Sequence, residues 1–186
     1  MTEVNLMEEF KNKTISQIIG IEGGYVNDRR DSGGATKYGI TERVARQCGY
    51  KLTMRELSRE TAVDIYEKLY WNPLGLDSIA SISEKLAHKL FDVGVNCGVS
   101  RASEWLQRSL NVFNRSGKDY PDIIVDGDVG PRTIQSLKSL YAKRGDAGAQ
   151  SLYKAIKSLQ GAHYLTLAER RPKDEAFVNG WFQNRV

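Results

Sequence analysis

The 186-residue chain has little cysteine, proline or methionine: two, four and three residues respectively. Cys48 and Cys97 lie far apart and make no CxxC pair, which argues against a zinc site and against a disulfide framework. Both are expected to be plain buried thiols. Long apolar runs are missing too. Those present are short pieces such as Ile18-Ile19, far below the roughly 20 apolar residues that a bilayer span needs. The segment from Met1 to Phe10 has no basic start and no apolar stretch of signal-peptide length. The expectation is synthesis in the cytoplasm without the usual secretory signal. No Lys/Arg run exceeds two residues, and neither a basic helix nor an aromatic platform is visible, so nucleic acid is a poor partner. P-loop, dinucleotide-glycine, HExxH and GxSxG patterns are all absent.

What remains is globular. Hydrophobic residues make up 40% and charged residues 27% of the chain, well away from the disordered regime. The length suits one ordinary domain or two small ones, and it can bury a core without a staple. The net charge of +4 is dispersed and mildly favours polyanionic partners, the bacterial wall among them.

Apolar residues recur at helical spacing almost everywhere. Ile15, Ile18 and Ile19 mark a helix running toward Glu22. Ala62, Ile65, Tyr66 and Leu69 mark another, which stops before Asn72-Pro73. Leu86, Leu90 and Val93 mark a third, and Trp105, Leu106, Ser109, Leu110 and Phe113 a fourth. After Asp126-Gly127-Asp128, Pro131 suits a first helical position, with Ile134, Leu137 and Tyr141 following. Leu152, Ile156, Leu159, His163 and Leu167 give one more stripe. Thr53 and Glu56 have capping-box spacing. Asn114 to Asp122 and Gly145 to Gly148 read as loops. His88 and His163 sit within helical patterns and read as ordinary surface or core histidines.

Residues 23–40 break the pattern. Five glycines, with Asn27, Asp28, Asp31 and Ser32, favour tight turns. Tyr25-Val26 and Thr36 to Ile40 suit short strands around those turns. The expected fold class is therefore mainly α, with a small β-hairpin excursion after the first helix. Carboxylates concentrate here. Glu22 stands at a helix C-terminus, where desolvation and the helix dipole both disfavour its ionised form. Asp31, on a polar loop nine residues later, should stay ionised. Two carboxyl groups with divergent pKa values can divide acid and base work, as glycosidic cleavage requires. Spacing alone leaves Asp28 as a rival to Asp31, and leaves open an ordinary helix end with solvated acids.

The run from Glu22-Gly23-Gly24-Tyr25-Val26-Asn27-Asp28 to Asp31-Ser32-Gly33-Gly34-Ala35-Thr36-Lys37-Tyr38-Gly39-Ile40-Thr41 closely resembles glycoside hydrolase family 108, the N-acetylmuramidases of phages and bacteria. The likeness covers roughly residues 10 to 95, including Tyr70-Trp71 and Phe91 to Asn96. It implies a lysozyme-like helical fold and a catalytic set of Glu22, Asp31 and Thr36. Thr36 comes one residue earlier than in the commonest phage-type spacing, and Arg29-Arg30 stand where family members often carry proline. The run from Asp126 to Thr133 resembles the DGxxGxxT signature of peptidoglycan-binding modules.

The resulting expectation is a lysozyme-like catalytic region over 1–95 and a helical peptidoglycan-binding-like region over 96–186, sharing one globule. Tyr38, Tyr70, Trp71 and Asn96 are candidate substrate contacts, and Trp105 is expected in the core. No metal and no organic cofactor is implied. The implied activity is hydrolysis of the β-1,4 bond between N-acetylmuramic acid and N-acetylglucosamine by a monomer without stable membrane insertion. The implied setting is a phage endolysin that reaches the periplasmic wall through a holin, or a bacterial muramidase serving secretion. A lytic transglycosylase and a non-catalytic wall binder are the competing classes.

Overall fold

The computed structural model describes residues 3–21, 24–27 and 34–186. The described chain is mainly α, with one short two-stranded antiparallel sheet after the first helix. It divides into two compact units, Met1–Asn72 and Pro73–Val186. That division falls upstream of the boundary expected at 95/96. Leu74, α4 (Leu76–Ala80) and α5 (Glu84–Cys97) all pack with the later helices, so the contacts divide the chain before them.

In the first unit, α1 (Glu3–Ile21) buries Ile15, Ile18 and Ile19, the stripe its periodicity predicts. Strand β1 (Thr36–Lys37) pairs with β2 (Ile40–Thr41), placing Thr36 opposite Thr41 and Lys37 opposite Ile40. Thr41 then caps α2 (Glu42–Gln47) by accepting the Val44 N–H on its side chain. The Thr53–Glu56 capping box forms, but it opens a single 3₁₀ turn over Met54–Glu56. Helix α3 (Arg59–Tyr66) begins at Ser58, whose hydroxyl accepts the Thr61 N–H. As expected, it ends before Asn72-Pro73. It widens into a π turn over Glu67–Trp71, closed by the Asn72 N–H on the Glu67 carbonyl at 2.9 Å. The Lys11 ammonium of α1 reaches Glu67 at 3.0 Å and so ties the first helix to that turn.

The second unit packs α4 on α5, α5 on α6 (Val99–Phe113), and α6 on α7 (Pro131–Arg170). Its core is aliphatic: Leu86, Leu90, Leu106, Leu110, Leu137, Leu140, Leu152 and Ile156 are all fully buried around Phe91. Helix α7 is two helical segments joined at Gly145, whose φ of 53° and ψ of −147° suit glycine. Residues 146–148, expected as loop, resume the helix at once. Downstream, the buried stripe runs through Leu152, Ile156, Gln160, Tyr164 and Ala168. The expected stripe named Leu159, His163 and Leu167, one position earlier.

Asp92 of α5 explains that rotation. This carboxylate is 7% exposed and accepts four donors, two on each oxygen. Oδ2 takes Lys89 Nζ at 3.1 Å and Gln160 Nε2 at 3.0 Å; Oδ1 takes Asn96 Nδ2 and Arg185 Nη1, both at 2.9 Å. Gln160 must therefore face inward, and it also donates to the Tyr164 hydroxyl. Lys89 donates further to the Arg185 carbonyl. Burial holds the Lys89 ammonium below the ordinary lysine value, against the pull of Asp92. Helix α8 (Glu175–Arg185) buries no residue fully; it is tethered by Arg185 and by the Trp181 ring, 4.9 Å from that of Tyr164.

Two predictions follow from this packing. Asp92→Asn leaves buried cations without their counter-charge and should cost about 3 kcal/mol in chemical denaturation; Lys89→Met in the same chain should recover part of it. A loss below about 1 kcal/mol, the scale of one ordinary hydrogen bond, would show that the network is dispensable. The second concerns His163, half-buried with its ring edge-on to Trp105 at 5.8 Å. Burial first, then the charges of Arg101 and Arg170, hold its pKa below 6.5. The unfolded chain thus binds the proton more readily, so stability is complete above that value and falls as the pH drops through it. His163→Phe should flatten this acid-side fall in melting temperature; an unchanged slope would assign it to other groups.

Candidate functional site

The glycine-rich excursion is closed by main-chain pairing. Val26 N–H donates to the Thr36 carbonyl at 2.8 Å and Thr36 N–H to the Val26 carbonyl at 2.7 Å. The pairing expected of Tyr25-Val26 with the strand at Thr36 is therefore present as a single bridge. Glu22 and Asp31 lie outside the described residues, as do Asp28, Arg29 and Arg30. In the chain, Glu22 directly follows α1, and residues 28–33 lie between the two halves of the bridge.

Thr36, the third expected catalytic residue, has its backbone committed on both sides, to Val26 and to β2. Its half-exposed hydroxyl has no hydrogen-bond partner among the described residues, so it is free to meet a water or a substrate. Tyr38 and Gly39 make the turn of the hairpin with φ of 55° and 75°. Two successive positive φ values are the signature of a type I′ turn, where tyrosine is unusual because its Cβ crowds the backbone. The hydroxyl of Tyr66 donates to the Tyr38 carbonyl at 3.1 Å and holds the turn from α3. The Tyr66 ring lies 5.5 Å from that of Tyr70. Thr36, Tyr38 and Tyr70 are thus linked through Tyr66. Periodicity marked that residue only as core, which its 3% exposure confirms. Its four-residue spacing from Tyr70 was the available signal.

Cations rim the hairpin. The Arg55 guanidinium stacks over the Tyr25 ring at 4.4 Å, and Lys37 donates to the Arg55 carbonyl while lying 5.3 Å from the Tyr38 ring centre. Trp71 needs a correction. It has no exposed surface, and its ring packs 6.0 Å from Phe10 of α1. It offers no face to a sugar and serves to anchor α1 on the π turn.

In the second unit, Asn96 donates to the Asp92 carbonyl at 2.7 Å and to its carboxylate. It is a strut of the buried network, with its side-chain oxygen still unengaged among the described residues. Trp105 is buried, as expected. The DGxxGxxT segment is organised by a residue that carried no sequence signal, Gln107 of α6, which is 1% exposed. Its oxygen accepts the N–H groups of Asp126 and Gly127 at 3.1 and 3.0 Å. Its amide nitrogen donates to the Asp126 carboxylate at 2.7 Å, to the Asp128 carbonyl at 2.8 Å and to the Thr133 hydroxyl at 3.4 Å. The Gln107 amide, then the Asp128 N–H, hold the Asp126 carboxyl below the usual carboxylate range. Gly127 has φ of 78°, and a Cβ there would meet the Ser100 hydroxyl at 2.6 Å. Only glycine satisfies both constraints.

Among the described residues, no group of three or more His, Cys, Asp or Glu side chains could hold a metal ion, and no helix is long and apolar enough to cross a membrane.

Comparison with known proteins places this geometry. Residues 15–98 match the family described as Glycosyl hydrolase 108, and residues 101–186 match the one described as Predicted Peptidoglycan domain. No curated protein matches the chain in sequence. A solved structure, that of Brucella abortus SagA, is similar at a TM-score of 0.63 and 23% identity, over 95% of this chain and 89% of that one. That likeness is one of fold. The first match encloses Glu22, Asp31, Thr36, Tyr38 and Tyr66; the second encloses Gln107 and the loop that it clamps. Residues 15–98 thus belong to the Glycosyl hydrolase 108 family and residues 101–186 to the predicted peptidoglycan domain, which makes the chain a glycoside hydrolase acting on peptidoglycan.

Proposed function

We propose that the enzyme hydrolyses the β-1,4 bond between N-acetylmuramic acid and N-acetylglucosamine, and that it works as an endolysin. The reading rests on the Glycosyl hydrolase 108 match, which contains the ordered set Glu22, Asp31, Thr36. Glu22, following the apolar end of α1, is the general acid that protonates the leaving oxygen. Asp31 activates a water on the opposite face of the sugar, and the free hydroxyl of Thr36 orients it. Such an inverting reaction requires a carboxyl separation of about 6.5–9.5 Å. Tyr38 and Tyr70 contact the glycan strand, Asn96 offers its unengaged oxygen to it, and the chain acts as a monomer. The enzyme is made in the host cytoplasm and meets the periplasmic wall after release through a holin lesion.

Digestion of purified peptidoglycan, followed by borohydride reduction and mass spectrometry, should give reduced muramic acid ends. Anhydro ends would move the mechanism to a transglycosylase, and reduced glucosamine ends would mean cleavage of the other bond. Glu22→Gln should abolish release with the fold intact, and Asp31→Asn should lose most of it. An equal loss in Asp28→Asn would return the second acid to that position.

Tyr66 is a positioning residue in this scheme, since it holds the hairpin that carries Thr36. Tyr66→Phe keeps the ring on Tyr70 and removes one hydrogen bond worth about 1 kcal/mol. The expected result is a roughly 5- to 10-fold fall in kcat with KM little changed. A change in melting temperature with unchanged kcat would reduce Tyr66 to a packing residue.

A further inference from the structure

The clamped loop borders a cavity of about 370 Å³ in the second unit, lined among others by Gln107, Ile124, Asp128, Pro131, Arg132 and Thr133. That volume lies in the range of small-ligand pockets. Three observations define what it can take. First, its wall is fixed: Gln107 ties down Asp126, Gly127, Asp128 and Thr133 through five hydrogen bonds. Second, it carries opposite charges that are not used internally. Asp126 is held by Gln107 and by the Asp128 N–H, but the Asp128 carboxylate and the Arg132 guanidinium, both exposed, have no side-chain partner among the described residues and do not pair with each other. Third, no aromatic residue lines it, while Ile124 presents an apolar side chain that is 71% exposed.

These features separate the two halves of peptidoglycan chemistry. The glycan strand consists of N-acetylated sugars, uncharged where the lactyl carboxyl of muramic acid is bonded to the stem peptide, and proteins commonly hold such sugars by stacking on aromatic rings. The stem peptide carries the charges, free carboxylates throughout and an ammonium on its diamino acid, separated by short aliphatic chains. A fixed pocket with an unpaired carboxylate, an unpaired guanidinium and an apolar wall fits the second and not the first. We infer that the cavity between the Gln107-clamped loop and the start of α7 is a subsite for the stem peptide of peptidoglycan, with Arg132 receiving a carboxylate and Asp128 the ammonium of the diamino acid. The inference rests on the peptidoglycan reading above and adds which part of the polymer this unit holds.

The test uses the full chain with isotope-labelled isoleucine methyls and the free tripeptide L-alanyl-γ-D-glutamyl-meso-diaminopimelate, which has no glycosidic bond to engage the catalytic residues. The expected result is saturable shifts of the Ile123 and Ile124 methyls, with affinity weakened at least 10-fold in Arg132→Gln and in Asp128→Asn. The uncharged disaccharide of two N-acetylglucosamines should leave those methyls unmoved. Because both substituted side chains are exposed, the variants should keep the parent melting temperature and so report on binding. Shifts caused equally by the disaccharide, tripeptide binding indifferent to both substitutions, or no tripeptide binding at all would overturn the inference. Sedimentation with purified sacculi and sugar release from them distinguish the two levels. If the parent chain releases sugar but the tripeptide leaves the pocket unmoved, the subsite fails alone. If it neither binds nor digests sacculi, the peptidoglycan reading fails with it.

Discussion

One buried carboxylate organises the second unit. Removing Asp92 from water is costly, and the cost is offset only because four donors fill its lone pairs. Each donor constrains an element. Lys89 and Asn96 lie one turn before and one turn after it on α5, Gln160 fixes the rotation of α7, and Arg185 brings in α8, which buries nothing of its own. The aliphatic core around Phe91 supplies burial, but apolar contact alone tolerates a helix turned by one residue. The polar network does not. A slip of α7 by one position would place Leu159 against a carboxylate and leave Gln160 in the wrong place.

The first unit joins main-chain pairing to a single side-chain hydroxyl for the same purpose at its hairpin. The hairpin at Thr36–Thr41 is too short to be stable alone. It persists because Val26 pairs with Thr36 on one side and Tyr66 holds the Tyr38 carbonyl on the other. Positive φ at Tyr38 carries a backbone strain of about 1 kcal/mol, since only glycine and the small amides adopt it readily. Strain of this kind survives where its surroundings over-determine it, and such places are often functional. The Thr36 hydroxyl sits two residues away, with its backbone fixed and its side chain without a hydrogen-bond partner among the described residues.

Much of this was legible in the sequence, and the exceptions have a common cause. The stripes Ile15-Ile18-Ile19, Leu86-Leu90-Val93 and Leu152-Ile156 were readable because apolar periodicity is a local property. So were the Thr53–Glu56 capping box and the pairing of Val26 with Thr36, which turn chemistry announces. The last stripe was misplaced because Gln160 and Tyr164 face inward for Asp92, 68 residues from Gln160 in the chain. Trp71 was misplaced for a related reason. A π turn inserts an extra residue into the helical count, and nothing in the periodicity of Ala62, Ile65, Tyr66 and Leu69 signals it. The proposed catalytic acids rest on residue type and family likeness, while Tyr66 reads only as core and Gln107 carries no signal, because each acts through a distant main-chain group.

Gln107 shows why such residues are specified chemically even when a sequence conceals them. Its position requires a donor and an acceptor together: three oxygens face its nitrogen and two N–H groups face its oxygen. Glutamate would accept the two N–H groups but set a second carboxylate against Asp126, with nothing to donate. Lysine would donate and leave the N–H groups of Asp126 and Gly127 unmet, and leucine would leave all of them unmet. Asparagine carries the right groups on a stem one carbon shorter and would have to draw α6 and the loop together to keep the same bonds. Glutamine is thus the side chain whose reach and hydrogen-bond inventory both match. By absorbing the internal polar demand of the loop, it leaves the exposed Asp128 carboxylate and Arg132 guanidinium without a side-chain partner among the described residues.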